Sequence, residues 1–206
     1  MKEEILRKAT EMFLTLGFKS VTMDDIAAEM GISKKTIYQH FENKPELVEA
    51  SSLFLFDKIA GGIDNICSLN KNAIEELFEI KNFMMKQLNN ESASPLFQLQ
   101  KYFPNVFSCL RKKQFDKMQD CVKENIDKGI SLGLYRKDLD IAFIGRIYFV
   151  GLTGIKDTDI FPVSLYSSKD VTEKYLEYHL RAIVTPPGLE LLEKLIINKP
   201  NITSIQ

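Results

Sequence analysis

Apolar residues recur with helical period from the start of the chain. Ile5, Ala9, Met12, Phe13 and Leu16 follow i, i+4, i+7, i+8, i+11 spacing, with Lys2, Glu3, Arg7, Lys8 and Glu11 on the other face. Such a stripe predicts an amphipathic helix. Gly17 follows the last periodic residue as a C-terminal cap would, so the first helix is predicted over Lys2 to Leu16. Thr22, with Asp25 three residues later, supplies an N-terminal cap and an acidic first turn for a short second helix that Gly31 ends after Met30. Ser33 caps a third helix, Lys34 to Phe41, and Pro45 suits the first turn of a fourth.

The rest of the chain also reads as helical. The pattern predicts a long helix from Pro45 to Leu69, with Gly61-Gly62 as a kink or hinge. Another covers Asn72 to Leu88, followed by a polar loop from Asn89 to Ser94. Pro95 starts a helix that Pro104 interrupts. Further helices are predicted over Arg111 to Leu132, Leu139 to Gly154 and Lys169 to Val184. Lys156 to Ser168 reads as a loop, Pro186-Pro187 as a stop, and Leu189 to Ile197 as a short terminal helix. Strand-like alternation is nowhere sustained, so the expected fold is all-α.

Composition narrows the function classes. At 206 residues, 45% hydrophobic and 27% charged, the chain has an ordinary globular balance. Lys plus Arg is 27 against 28 for Asp plus Glu, which excludes a general basic coat but leaves room for a local basic patch. Cys67, Cys109 and Cys121 show no C-x-x-C spacing, and His40 and His179 lie far apart, so neither a disulfide framework nor a metal site is expected. No cofactor is implied. The N-terminus lacks the apolar block of a signal peptide, and the most hydrophobic stretch, Ile141 to Ile155, is too short to span a bilayer and contains Arg146. A cytoplasmic protein without membrane attachment is expected. A phosphate loop, paired-carboxylate motif or nucleophilic triad cannot be placed, so an enzyme is not expected.

The pair of short helices around Gly31 carries the most information. Ile26, Ala27, Met30, Ile32 and Ile37 supply a small core between two crossed helices, and Gly31 permits the turn. The outer face of the second helix presents Lys34, Lys35, Thr36, Tyr38, Gln39 and His40, an arrangement suited to a major groove. Residues 1–50 hold seven basic and nine acidic side chains, yet Ser33 to Lys44 carries three Lys against one Glu. DNA senses this local excess within a Debye length of roughly 8–10 Å.

The string from Ile5 to Ala50 resembles the DNA-binding domain of TetR-family transcriptional regulators. The matching marks are Ala9, Phe13, Gly17-Phe18, Thr22, Ile26-Ala27, Gly31-Ile32-Ser33, Thr36-Ile37-Tyr38, His40-Phe41, and Lys44 ahead of Leu47. The resemblance covers the first 47 residues; beyond them it is one of architecture, with Gly129 to Asp140 similar to a turn between late helices. Lys35 departs from the small residue usual in the family. The resemblance implies an N-terminal three-helix helix-turn-helix DNA-binding domain, residues 1–47, and a larger helical regulatory and dimerisation domain, residues 48–206. It places Thr22, Tyr38 and Lys44 at phosphates, and Lys34, Lys35, Thr36 and Gln39 at base edges or nearby phosphates. Ser33 and His40 complete the expected DNA-binding set. The side-chain chemistry agrees: ammonium groups neutralise phosphates, Gln pairs with adenine, and a Thr methyl packs on thymine. A solvated helix end is the structural alternative for the lysines, and half-buried packing for Tyr38.

Two late helices point to a homodimer. Val171, Tyr175, Tyr178 and Ala182 form one apolar stripe, while Leu176, Leu180 and Ile183 form another roughly 135° away at about 100° per residue. One stripe serves the core and the other a partner. Ile144, Tyr148 and Leu152, on a helix apolar nearly all round, complete the expected four-helix interface, and a two-fold dimer suits a palindromic operator. Burial of both helices inside a monomer is the alternative. The middle helices are rich in aromatic residues, and the resemblance implies a small, largely apolar effector there. Phe97, Phe103, Phe107, Arg146, Tyr148 and Thr153 are the candidate effector residues. The expected function is a ligand-responsive repressor of transcription acting on double-stranded DNA. An activator, an effector-independent regulator and a helical protein-interaction module are the alternatives.

Overall fold

The computed structural model describes residues 1–88 and 94–197. The helices, in chain order, are α1 (Lys2–Leu16), α2 (Met23–Met30), α3 (Lys34–Tyr38), α4 (Lys44–Cys67), α5 (Ala73–Leu88), α6 (Ser94–Tyr102), α7 (Pro104–Ser131), α8 (Ile141–Gly154), α9 (Ser168–Ile183) and α10 (Pro186–Ile197). Among the described residues there is no strand, only an isolated bridge between Tyr135 and Val184. The all-α fold read from the period is the fold observed.

Three boundaries differ from the sequence reading by about three residues or more, each for a local reason. The helix that opens at Ser94 ends at Tyr102, ahead of Pro104 as expected, but Pro104 is also the first residue of α7, which begins well before the expected Arg111 and runs on to Ser131. A proline is tolerated there because the first helical N–H has no intrahelical partner to lose. Pro186 likewise opens α10 three residues before the expected start. The third helix closes at Tyr38 rather than Phe41. Phe41 is fully turned into the core, at 1% exposure, while its N–H still reaches the Ile37 carbonyl at 3.0 Å. In addition, α4 is continuous through Gly61-Gly62, the pair expected to act as a hinge. Of the polar loop expected at 89–94, residues 89–93 lie outside the described residues, and Ser94 opens α6.

The chain forms two compact units, 1–64 with 84–116 and 65–83 with 117–206. The first is built around Ile5, Ala9 and Phe13 of α1, Ile26 of α2, Ile37 of α3, and Leu47 and Val48 of α4, joined by Leu99 of α6 and Leu110 of α7. Phe13 stacks on Phe18 with ring centroids 5.1 Å apart. Burying one such side chain contributes about 2–3 kcal/mol, so this core fixes the short α2 and α3, which could not persist alone.

The second unit has its own core, from Ala73, Ile74 and Leu77 of α5, Val122 and Ile126 of α7, and Leu176, Leu180 and Ile183 of α9. A buried polar cluster crosses it. The Asn125 amide donates to the Ala73 carbonyl at 2.9 Å and to Glu76 at 2.7 Å, and the Tyr135 hydroxyl donates to Asn125 at 3.1 Å. Lys128 balances the Glu76 charge at 2.8 Å. Burial pushes the Tyr135 hydroxyl well above the ordinary tyrosine range, with the Glu76 charge adding to it.

Candidate nucleic-acid interface

The reading head is assembled by caps and one buried anchor. The Thr22 hydroxyl accepts from the Asp25 N–H at 3.1 Å, and the Asp25 carboxylate accepts from the Thr22 N–H and hydroxyl, each at 2.8 Å. This reciprocal box starts α2, and its hydrogen bonds hold the Asp25 carboxyl below the usual aspartate value. Gly31 ends α2 in the left-handed region, φ 64°, where a side chain would be strained. Its neighbour Ile32 donates to the Ala27 carbonyl at 3.0 Å, which sets the angle at which α3 leaves. Ser33 caps α3 by accepting from the Thr36 N–H at 3.1 Å. Ile37, at 0% exposure, pins α3 to the core and so turns the opposite face outward.

That face carries the expected side chains. Lys34, Lys35, Tyr38 and Gln39 are exposed, Thr36 and His40 half-buried, and Ser33 and Thr22 exposed at their caps. Several already hold partners within the chain. Lys34 Nζ lies 2.8 Å from Asp24 Oδ1, and this hydrogen-bonded pair raises the Lys34 ammonium above its ordinary value. The same ammonium sits 5.8 Å from the centre of the Tyr38 ring. Lys44 donates to the Lys19 carbonyl at 3.0 Å, and partial burial lowers its pKa. The Lys19 N–H in turn donates to Gln98 Oε1 of α6 at 3.0 Å. Gln98 lies across Gly17, where a Cβ would come within 2.5 Å of its amide. Asp24 and Gln98 escaped the sequence reading. Gln98 reaches its partner across 79 residues, a separation that no local spacing encodes.

The six candidate effector residues divide between the two units. Phe97 is exposed on α6 under the Lys101 ammonium, and Phe103 and Phe107 pack on the core of the first unit. Arg146, Tyr148 and Thr153 belong to the second unit. Arg146 and Thr153 are exposed and hydrogen-bond to carbonyls of their own helix, Ala142 for Arg146 and Phe149 for Thr153. Tyr148 instead faces inward, its ring centroid 4.2 Å from His179 and 5.8 Å from Tyr175. Burial pushes His179 down to about 4.

The residues expected at the dimer interface divide by exposure. Ile144 and Tyr148 pack partly buried against the second core, Leu152 is half-buried and Val171 buried. Tyr175 is half-buried and donates its hydroxyl to the Ile147 carbonyl at 3.1 Å. Tyr178 is 72% exposed, and Ala182 is exposed. On α8 the large apolar residues left exposed are Phe143, Ile147 and Val150, at 60%, 48% and 60%. The sequence could not select this face, because α8 is apolar nearly all round. An open cleft of about 210 Å³ adjoins α9, lined by Ile155, Phe161, Tyr166, Val171, Lys174, Tyr175 and Tyr178. Among the described residues no group of three or more His, Cys, Asp or Glu could hold a metal ion, and no helix is long and apolar enough to cross a membrane.

The family model described as bacterial regulatory proteins, tetR family, matches residues 5–51, the segment that forms this reading head. Over 200 residues the chain is 26% identical to the HTH-type transcriptional repressor KstR2 of Mycolicibacterium smegmatis, covering 91% of this chain and 92% of that protein. Over 72 residues it is 35% identical to the Staphylococcus aureus regulator IcaR, a negative regulator of the biofilm operon icaADBC, covering 35% of this chain and 37% of that one. A TetR-family regulator structure from Agrobacterium tumefaciens shares the fold with a TM-score of 0.71 at 16% identity, covering 89% of this chain and 97% of that one. With the helix-turn-helix in place at its N-terminus and helices throughout the remainder, the chain carries the DNA-binding segment of the bacterial regulatory proteins of the tetR family at residues 5–51 and is similar to such regulators along the rest of its length.

Proposed function

We propose that the chain is a ligand-responsive repressor that binds a palindromic operator as a homodimer and is released by a small, largely apolar effector. The observation that carries this reading is the exposed apolar face of α8 and α9, with Phe143, Ile147 and Val150 on one helix and Tyr178 on the other. A contiguous apolar face of this kind marks an interaction surface. A second copy covers it and brings a second reading head, which a two-fold palindrome requires. The repressor names of the full-length and N-terminal relatives support the sign of regulation.

In this reading residues 1–47 contact DNA through Thr22, Ser33, Lys34, Lys35, Thr36, Tyr38, Gln39, His40 and Lys44, and residues 48–206 bind effector and dimerise in the cytoplasm. The effector acts by favouring a state whose heads no longer match successive major grooves. A tenfold release requires a preference of about 1.4 kcal/mol for that state.

The test is selection of bound fragments from a random DNA pool, with the native protein and with a Tyr38→Ala, Lys44→Ala variant, alongside light scattering for molar mass. A palindrome enriched only by the native dimer supports the reading. A folded native dimer that enriches nothing at low and moderate salt refutes it, and leaves an effector-requiring binder or a helical interaction module.

A further inference from the structure

Helix α6 grips the turn that follows α1 at several points. Gln98 Oε1 accepts the Lys19 N–H at 3.0 Å, the Gln98 amide lies over Gly17, and the Lys19 ammonium sits 5.0 Å from the Tyr102 ring centre. Leu99, beside Gln98, is 2% exposed in the core of the same unit. The Lys19 carbonyl, in the next peptide group along the chain, accepts from Lys44 Nζ at 3.0 Å, at the first residue of α4. The backbone of one residue, through two successive peptide groups, thus joins a side chain of α6 to a lysine of the DNA-reading set. Gly17 makes this possible, since at φ 88° it carries no Cβ to displace Gln98.

We infer that Gln98 is a positioning residue for DNA binding: by holding the Lys19 N–H it restrains the Lys19 backbone, and with it the adjoining carbonyl that orients Lys44. This rests on the DNA-contacting role proposed above for Lys44. The Lys44 ammonium has three protons, and one is spent on the Lys19 carbonyl. The remaining two are thereby aimed before DNA arrives, and a pre-oriented donor binds more tightly than a free one because less side-chain freedom is lost on contact.

The experiment uses the full chain with Gln98→Ala, Gln98→Glu, Lys44→Ala and the Gln98→Ala, Lys44→Ala double variant. The probe is the duplex that the native protein selects, with amide hydrogen exchange at Lys19 read in parallel without DNA. Gln98→Ala is expected to speed exchange at Lys19 and to weaken DNA binding about three- to tenfold, the range of one lost hydrogen bond. In the Lys44→Ala background the same change is expected to alter affinity less than about 1.5-fold, because its effect is routed through Lys44. Gln98→Glu keeps an acceptor oxygen and is expected to retain slow exchange at Lys19, which the added charge does not govern.

An equal loss in both backgrounds, or a Gln98→Glu variant whose Lys19 amide exchanges as fast as that of Gln98→Ala, overturns the inference. Unchanged exchange at Lys19 in Gln98→Ala does so without reference to DNA. If native protein binds no duplex, the DNA-contacting reading falls and this inference with it.

Discussion

Asp24→Asn removes one charge from the reading head and nearly nothing else. In the native chain Asp24 holds Lys34 with both carboxylate oxygens, at 2.8 and 2.9 Å from Nζ. A phosphate approaching Lys34 must therefore displace a carboxylate of its own sign. Asn keeps the size of the side chain and loses that charge, which frees the ammonium for one more phosphate contact. Each such contact changes the slope of log affinity against log salt by about −0.9. Between 50 and 200 mM salt this amounts to an additional loss of about 3.5-fold, on top of a tighter affinity at the low-salt end. The assay is a salt titration of binding to a fixed duplex by fluorescence anisotropy. Glu29→Gln is the matched control. It removes the same charge from the Lys8–Glu29 pair, 2.8 Å apart, which joins α1 to α2 and involves no residue of α3. Lys34→Ala should abolish the Asp24→Asn effect. A slope unchanged by Asp24→Asn, or changed equally by Glu29→Gln, refutes the reasoning.

Other outcomes follow from the same structure. Thr22→Ala removes the hydroxyl that caps α2 and should cost about 1 kcal/mol in urea unfolding monitored by circular dichroism. Asn125→Leu strands the Tyr135 hydroxyl and the Ala73 carbonyl inside the second core and should cost about 2–4 kcal/mol by the same measurement, with full stability excluding the cluster as a support. His179, at about 4 when folded, takes up a proton on unfolding between that value and about 6.5. Stability is thus fully present above about pH 6.5 and declines by about 2 kcal/mol on going from pH 7 to 5, a decline that His179→Phe should flatten. Phe143→Glu with Ile147→Glu places two charges on the exposed face of α8 and should yield a folded monomer by light scattering, whereas an intact dimer would exclude that face as the interface.

The local order of the reading head was written in the sequence because its determinants are local. A cap at Thr22, a left-handed turn at Gly31, a cap at Ser33 and the apolar stripe of α1 each act within a few residues, and each is found where the pattern puts it. Other features depend on contacts that spacing does not encode. The proline at 104 is a breaker in an isolated pattern and a helix opener where the preceding chain has already turned. Which face of α8 stays exposed could not be chosen from a helix apolar on all sides; packing of Ile144 and Tyr148 against the second core leaves Phe143, Ile147 and Val150 outside. The partners of Lys34 and Lys44, Asp24 and the Lys19 carbonyl, come from other elements, and Gln98 reaches the turn from 79 residues away. Short-range hydrogen bonds and helical period thus determined the reading head from the sequence alone. The partners that restrain its lysines, and the apolar face left for another molecule, were decided only by tertiary packing, because each depends on which side chains of other elements the folded chain brings to a shared donor or surface.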